Sequence, residues 1–270
     1  MNPPAPDLHP VHPRRRASHL AALRLAHPVH RGALVKHFAL TMLVLAACSS
    51  KPNESRVFVL NGFDFPVVVT IASEGGKVTL ELPPRGRVNP AVSGKGTVNV
   101  TTKAGALISE DTALFGKGGN QGCYYVYNVM GAASYVNEDV VYGTGFGKPE
   151  YRRRAGEIAE QECYVSFAFR DPPEKIAVDK YGPRGDNRGW LHYEDDGGWV
   201  VAVNSLLDDT GQWASQSRGK AQRIVRAVVT HDPANPALGR IKSRLAELQL
   251  AMPEPTEGNL LEQPKRRRRP

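Results

Sequence analysis

The densest set of chemistry-bearing side chains is His192, Glu194, Asp195 and Asp196. An imidazole beside carboxylates can bind a divalent cation or act as a general base with an orienting acid. Yet Asp195-Asp196-Gly197-Gly198 is also the composition of a turn that opens a helix at Trp199. No second ligand set accompanies it, so the reading favours an exposed turn over a site. His231, the one other histidine beyond residue 37, ends a helical pattern beside Asp232. A helix C-terminus favours a cation there without any catalytic role. Neither Gly-x-Ser-x-Gly nor His-Glu-x-x-His occurs. Gly143, Gly145, Gly147 and Lys148 imitate a phosphate loop, but Tyr142 stands where a glycine is needed and Pro149 where Ser or Thr is needed. Arg184-Gly185-Asp186 spells an adhesion tripeptide inside what reads as a polar turn. Tyr124, Tyr125, Tyr127 and Tyr135 are candidates for a groove lining, although tyrosines on strands more often pack across strands. The sequence therefore points to no catalytic residue, no metal site and no cofactor. An exported hydrolase or metal enzyme around His192 is the competing class.

The charge excludes a second class. The 270-residue chain carries a formal +8. Of its 35 basic residues, six lie in residues 1–48 and five are Lys265, Arg266, Arg267, Arg268 and Arg269. Those two segments hold one of the 27 acids, Asp7. Residues 49–264 thus carry 24 bases against 26 acids. A nucleic-acid-binding domain concentrates its basic excess on the folded body, so no nucleic-acid partner is expected. The Lys265–Arg269 run is a candidate contact for an anionic surface, since each base near anionic lipid contributes about 1 kcal/mol. A polyanion binder acting through this tail is a further alternative.

Phe38 to Ala47 is an unbroken run of ten residues, apolar apart from Thr41, behind Lys36-His37. A bilayer span needs about 20 residues, so this is the length of a signal-peptide core. It closes in Leu45-Ala46-Ala47-Cys48. That ending resembles the lipobox of bacterial lipoproteins: an aliphatic residue, two small residues that let a peptidase reach the backbone, and a cysteine whose thiolate takes the lipid. Ser49 to Ser55 follows as a polar tether. The resemblance implies cleavage before Cys48, acylation of Cys48, and membrane lipid as a partner. Ser49 rather than Asp implies sorting to the outer membrane. If Val35 is the initiator, Val35 to Ala47 is a complete short signal peptide and residues 1–34 a leader outside the native chain. Two cysteines remain, Cys123 and Cys163. They would form a disulfide or lie as two separately buried thiols; an oxidising compartment favours the bond.

The elements that carry these residues divide the chain. Residues 1–34 read as disordered or mis-annotated leader, 35–47 as signal peptide and 48–55 as lipidated tether. Residues 56–145 read as a β-sandwich domain. Val67, Val69 and Ile71 alternate along one strand, and Val78, Leu80 and Leu82 along the next. Glu74-Gly75-Gly76 between them is a hairpin signal. Residues 146–195 are a mixed strand and loop region, with a strand over Tyr164–Phe169 and a short helix within 151–162. Residues 196–251 are an α-helical hairpin region: Trp199, Val203, Leu206 and Leu207, then Ala221, Ile224, Val225 and Val228, then Leu238, Ile241, Leu245 and Leu248 keep helical spacing. Ala221, Val225, Val228, Asp232-Pro233 and Asn235 resemble one half of a tetratricopeptide repeat; an ordinary hairpin packed on the sheet is the simpler reading. Residues 252–270 read as a disordered basic tail. The fold class is α+β: an antiparallel β-sandwich followed by a C-terminal helical hairpin, with disordered terminal segments. The implied function is a lipid-anchored cell-envelope protein with a non-catalytic structural role or an envelope protein partner.

Overall fold

The computed structural model describes residues 55–115, 123–143, 148–176 and 186–262. Cys48 and the lipobox-like ending before it, Lys265–Arg269, Gly145, Gly147 and Arg184-Gly185 lie outside these residues. The architecture is α+β. Thirteen strands form among the described residues: β1 (Ser55–Leu60), β2 (Val67–Ser73), β3 (Gly76–Leu82), β4 (Arg87–Val88), β5 (Ala91–Val92), β6 (Lys95–Thr102), β7 (Leu107–Leu114), β8 (Tyr124–Asn128), β9 (Tyr135–Tyr142), β10 (Tyr151–Arg154), β11 (Ala159–Glu162), β12 (Val165–Ala168) and β13 (Asp186–Tyr193). Helices α1 (Trp199–Leu207), α2 (Ala214–His231) and α3 (Leu238–Glu247) follow.

Three sheets are layered. The first runs β11-β8-β1-β4 with β5 also on β1, the second β10-β9-β13-β12, and the third β3-β2-β6-β7. β1 explains the layering. Val57-Phe58-Val59-Leu60 is apolar at every position, as a strand buried on both faces must be. Val57 and Val59 enter one core with Val67, Val69, Ile71, Val98 and Val100; Phe58 and Leu60 enter a second with Tyr135 and Leu191. The first sheet therefore separates the other two.

The β2–β3 hairpin forms where the alternation predicts it. Ser73 pairs with Gly76 around a two-residue turn, and Gly76 takes φ +125°, which a residue with a Cβ avoids. Each fully buried Val or Ile here contributes roughly 1.5–3 kcal/mol. The helices join the same core rather than building their own: Trp199, Val203, Ile224, Val225, Ile241 and Leu245 are buried against the strand residues.

Several local expectations differ from the structure. Residues 151–162 form β10 and β11 instead of a short helix. β10 pairs antiparallel with β9 and β11 with β8; ladder bonds with these distant strands outweigh a weak local helix preference. β1–β8 and β12–β13 are parallel, so the sheets are not uniformly antiparallel. The helical region, by contrast, follows the pattern: each of the three stripes is one helix, α1, α2 and α3. The body also continues past residue 252. Leu260 is buried and its N–H donates to the Ile108 carbonyl, while Asn259 brackets Glu110 of β7 through two hydrogen bonds. This segment covers the outer edge of β7, whose ladder groups would otherwise stay open.

Candidate functional site

The four residues of the His192 cluster do not converge. His192 lies on β13 rather than in an exposed turn, and its side chain is 24% exposed. Position alternation along β13 puts Trp190 and His192 on one face, opposite Glu138 and Val136 of β9. The Trp190 and His192 rings stack at 3.7 Å. His192 Nε2 is 3.2 Å from Glu138 Oε1, a close approach without hydrogen-bond alignment, and Nδ1 is 2.9 Å from the Tyr193 carbonyl. Among the described residues these contacts are an indole, a carboxylate and a backbone carbonyl. The turn begins only at Glu194, because pairing of β13 with β9 extends through Tyr193↔Tyr135.

The three carboxylates beyond it serve three places. Glu194 accepts from Ser134 Oγ at 2.6 Å and pairs with Arg153. Asp195 sits exposed at φ +49°. Asp196 pairs with Arg85 and accepts the Gly198 N–H at 2.9 Å, which shapes the entry to α1. Among the described residues no group of three His, Cys, Asp or Glu is arranged to hold a metal ion.

A different polar node, absent from the sequence reading, ties the layers together. Asp64, in the β1–β2 connection, accepts from Arg85 Nε at 2.7 Å, Trp199 Nε1 at 2.9 Å and Asn235 Nδ2 at 3.0 Å. Burial raises its pKa, but the hydrogen bonds from Asn235, Arg85 and Trp199 together outweigh it and hold the carboxyl below its ordinary value. Asn235 Oδ1 in turn accepts the Ala237 N–H at 3.0 Å and so caps the entry to α3. The node fixes α1, α2 and α3 to the sheets. It is saturated by protein donors, which marks it as structural.

His231 closes α2 with its Nε2 buried and unpartnered, near Phe65 at 6.1 Å between ring centroids. Burial lowers its pKa.

Chemistry is more concentrated at one end of the first sheet. Glu162 pairs with Tyr124 in the β11–β8 ladder, so Cys123 and Cys163 are the next positions of that ladder. They are joined, with S–S 2.08 Å and Cα atoms 3.9 Å apart. Beside them Glu162, its side chain 2% exposed, accepts from Arg154 Nε at 2.7 Å and Asn137 Nδ2 at 2.9 Å. An open groove of about 240 Å³ lies between the end of β7 and strands β8 and β11, lined by Ala113, Phe115, Tyr125, Val126 and Glu160 among others. Of the four tyrosines, Tyr125 lines this groove, Tyr127 and Tyr135 are fully buried, and Tyr124 packs on Phe58 at 5.6 Å.

No helix among the described residues is long and apolar enough to cross a membrane. No protein-family model matches the chain, no curated protein matches it, and no solved structure matches it.

Proposed function

We propose that the chain is an exported lipoprotein, held at the outer membrane by acylated Cys48, whose body is a non-catalytic structural or protein-interaction module of the cell envelope. The observation that carries this reading is Leu45-Ala46-Ala47-Cys48 at the end of a ten-residue apolar run, followed by a polar tether. Two or three acyl chains, at about 0.8 kcal/mol per buried CH₂, make a stable anchor.

Two further observations support it. The bonded pair Cys123–Cys163 suits an oxidising compartment, since cytosolic thiols are kept reduced. The near-neutral body, 24 bases against 26 acids, suits neither nucleic acid nor a polyanion. The non-catalytic part rests on His192, whose neighbours are Trp190, Glu138 and a carbonyl rather than a nucleophile.

Fractionation of the native host tests the anchor. The wild type sediments with outer membrane, and Cys48→Ala leaves a soluble or unprocessed form. Equal membrane content of both forms sinks the reading.

A further inference from the structure

We propose that the end of the body carrying Leu114 and Tyr164 rests on the phospholipid surface that anchors Cys48; this builds on the lipoprotein reading above. The chain enters the fold at one end of the first sheet. β1 runs parallel to β8 with Val57 opposite Tyr125, and β8 runs antiparallel to β11 with Tyr124 opposite Glu162. Ser55, Cys123 and Cys163 therefore stand in one row at one end of the first sheet. Ser55 also pairs with Val92 of β5. Three residues on, Lys95 pairs with Leu114 at the end of β7, and the groove lining joins Leu114 to Tyr125 and Gln161. The start of β1, the disulfide, Leu114 and Tyr164 thus share one end.

The point at which the chain enters this body then favours which end meets lipid. Seven Cα steps separate Cys48 from Ser55, at most about 25 Å when fully extended. The tether leaves from the Ser55 end, so that end meets the anchored cysteine without the tether doubling back along the body. The far end of β1 lies about 17 Å farther, at roughly 3.3 Å per residue.

The surface at this end suits an interface. Tyr164 is 91% exposed and Leu114 68%, the two largest exposures among the big apolar side chains. Tyr164 also holds φ +61°, an uncommon conformation for a residue with a Cβ, directly after Cys163. Tyrosine favours the headgroup level, where its ring and hydroxyl meet apolar and wet surroundings together. Lys95 is exposed there, but Glu160 lines the groove beside Leu114 as well. The contact is therefore interfacial insertion and not charge attraction, so salt leaves it nearly unchanged.

The full chain, expressed in a bacterium that acylates it and reconstituted in phosphatidylethanolamine–phosphatidylglycerol vesicles, supplies the test. Single tryptophans replace Tyr164, Leu114 or Lys103; Lys103 lies past the opposite end of β6. Lipids brominated near the top of the acyl chain quench a tryptophan that reaches the interface. Tyr164→Trp and Leu114→Trp gain at least about twofold more quenching over wild type than Lys103→Trp does. All three positions are exposed, so folding is preserved. Equal quenching at the three positions overturns the proposal while leaving the anchor intact. A blue-shifted emission from the Tyr164→Trp variant without brominated-lipid quenching shows a second copy or another protein covering this end, and also overturns it. If intact mass shows no acyl group and the chain does not sediment with vesicles, both readings fall together.

Discussion

Trp199 donates its indole N–H to Asp64 across 2.9 Å and 135 positions of sequence. The indole is fully buried at the start of α1, and Asp64 sits in the connection between the first and third sheets. One carboxylate thus locates a helix that the sheets alone would not orient.

Asp64→Ala leaves Trp199 Nε1, Asn235 Nδ2 and the Arg85 guanidinium without their shared acceptor. Hydrogen bonds to a charged group are worth about 1.5–3 kcal/mol each and are not additive, so the loss is about 3 kcal/mol or more. Urea unfolding at neutral pH reads it as a lower midpoint with unchanged slope. The carboxyl is held below its ordinary value in the fold. Its stabilisation is therefore complete above the unfolded pKa of about 3.9 and is lost as pH falls through the folded value. Asp64→Asn removes that part of the acid limb.

His231 works with the same sign at higher pH. Burial lowers its folded pKa below 6.5. The unfolded chain then binds a proton first as pH falls, so stability is full above about pH 6.5 and declines below it until the folded value is reached. His231→Phe flattens this decline in denaturation midpoints taken from pH 7.5 to 5. A slope identical to wild type contradicts the assignment.

Gly131 and Gly156 meet backbone to backbone. Gly131 has φ +72°, and a Cβ placed on it would stand 2.4 Å from the Gly156 carbonyl carbon. Gly156 N–H donates to the Gly131 carbonyl at 3.0 Å. Gly131→Ala adds a steric overlap to an unfavourable φ and destabilises by several kcal/mol, well beyond the ~1 kcal/mol of an ordinary loop glycine. Thermal unfolding measures it. A change within about 0.5 kcal/mol would mean the close approach is not obligatory.

The Cys123–Cys163 bond and the Glu162–Arg154 pair brace the same end of β11. Reducing a bond that spans 40 residues costs roughly 2–5 kcal/mol. Glu162→Ala leaves the Arg154 guanidinium and the Asn137 amide without their shared acceptor and costs about 1–3 kcal/mol, whereas replacing both Glu162 and Arg154 with apolar residues of similar size costs less. A double-mutant cycle separates the two cases.

What the sequence made legible followed short-range pattern. Val67, Val69 and Ile71 announced β2 through alternation, and Ile224, Val225 and Val228 announced α2 through helical spacing. β13 stayed hidden because Asp186 to Tyr193 mixes polar, glycine and aromatic residues with no clean period. Its strand state comes from pairing with β9, about 44 to 58 positions away. That misreading placed His192 in a turn. The Asp64 node was hidden for a related reason: its donors Arg85, Trp199 and Asn235 are brought together only by the fold. Leu260-Leu261 was the one signal that the body extends beyond residue 252, masked by the prolines around it. The lipobox-like ending Leu45-Ala46-Ala47-Cys48 needs no tertiary structure to be read, since a lipobox is a linear signal.

The most direct measurement of the lipoprotein reading is intact-mass spectrometry of the chain purified from its native membranes. The account predicts a mature protein that begins at Cys48 and carries two or three acyl chains, with both other cysteines bonded. An unmodified Cys48, or a chain that still holds residues 35–47 in the mature envelope form, would contradict it.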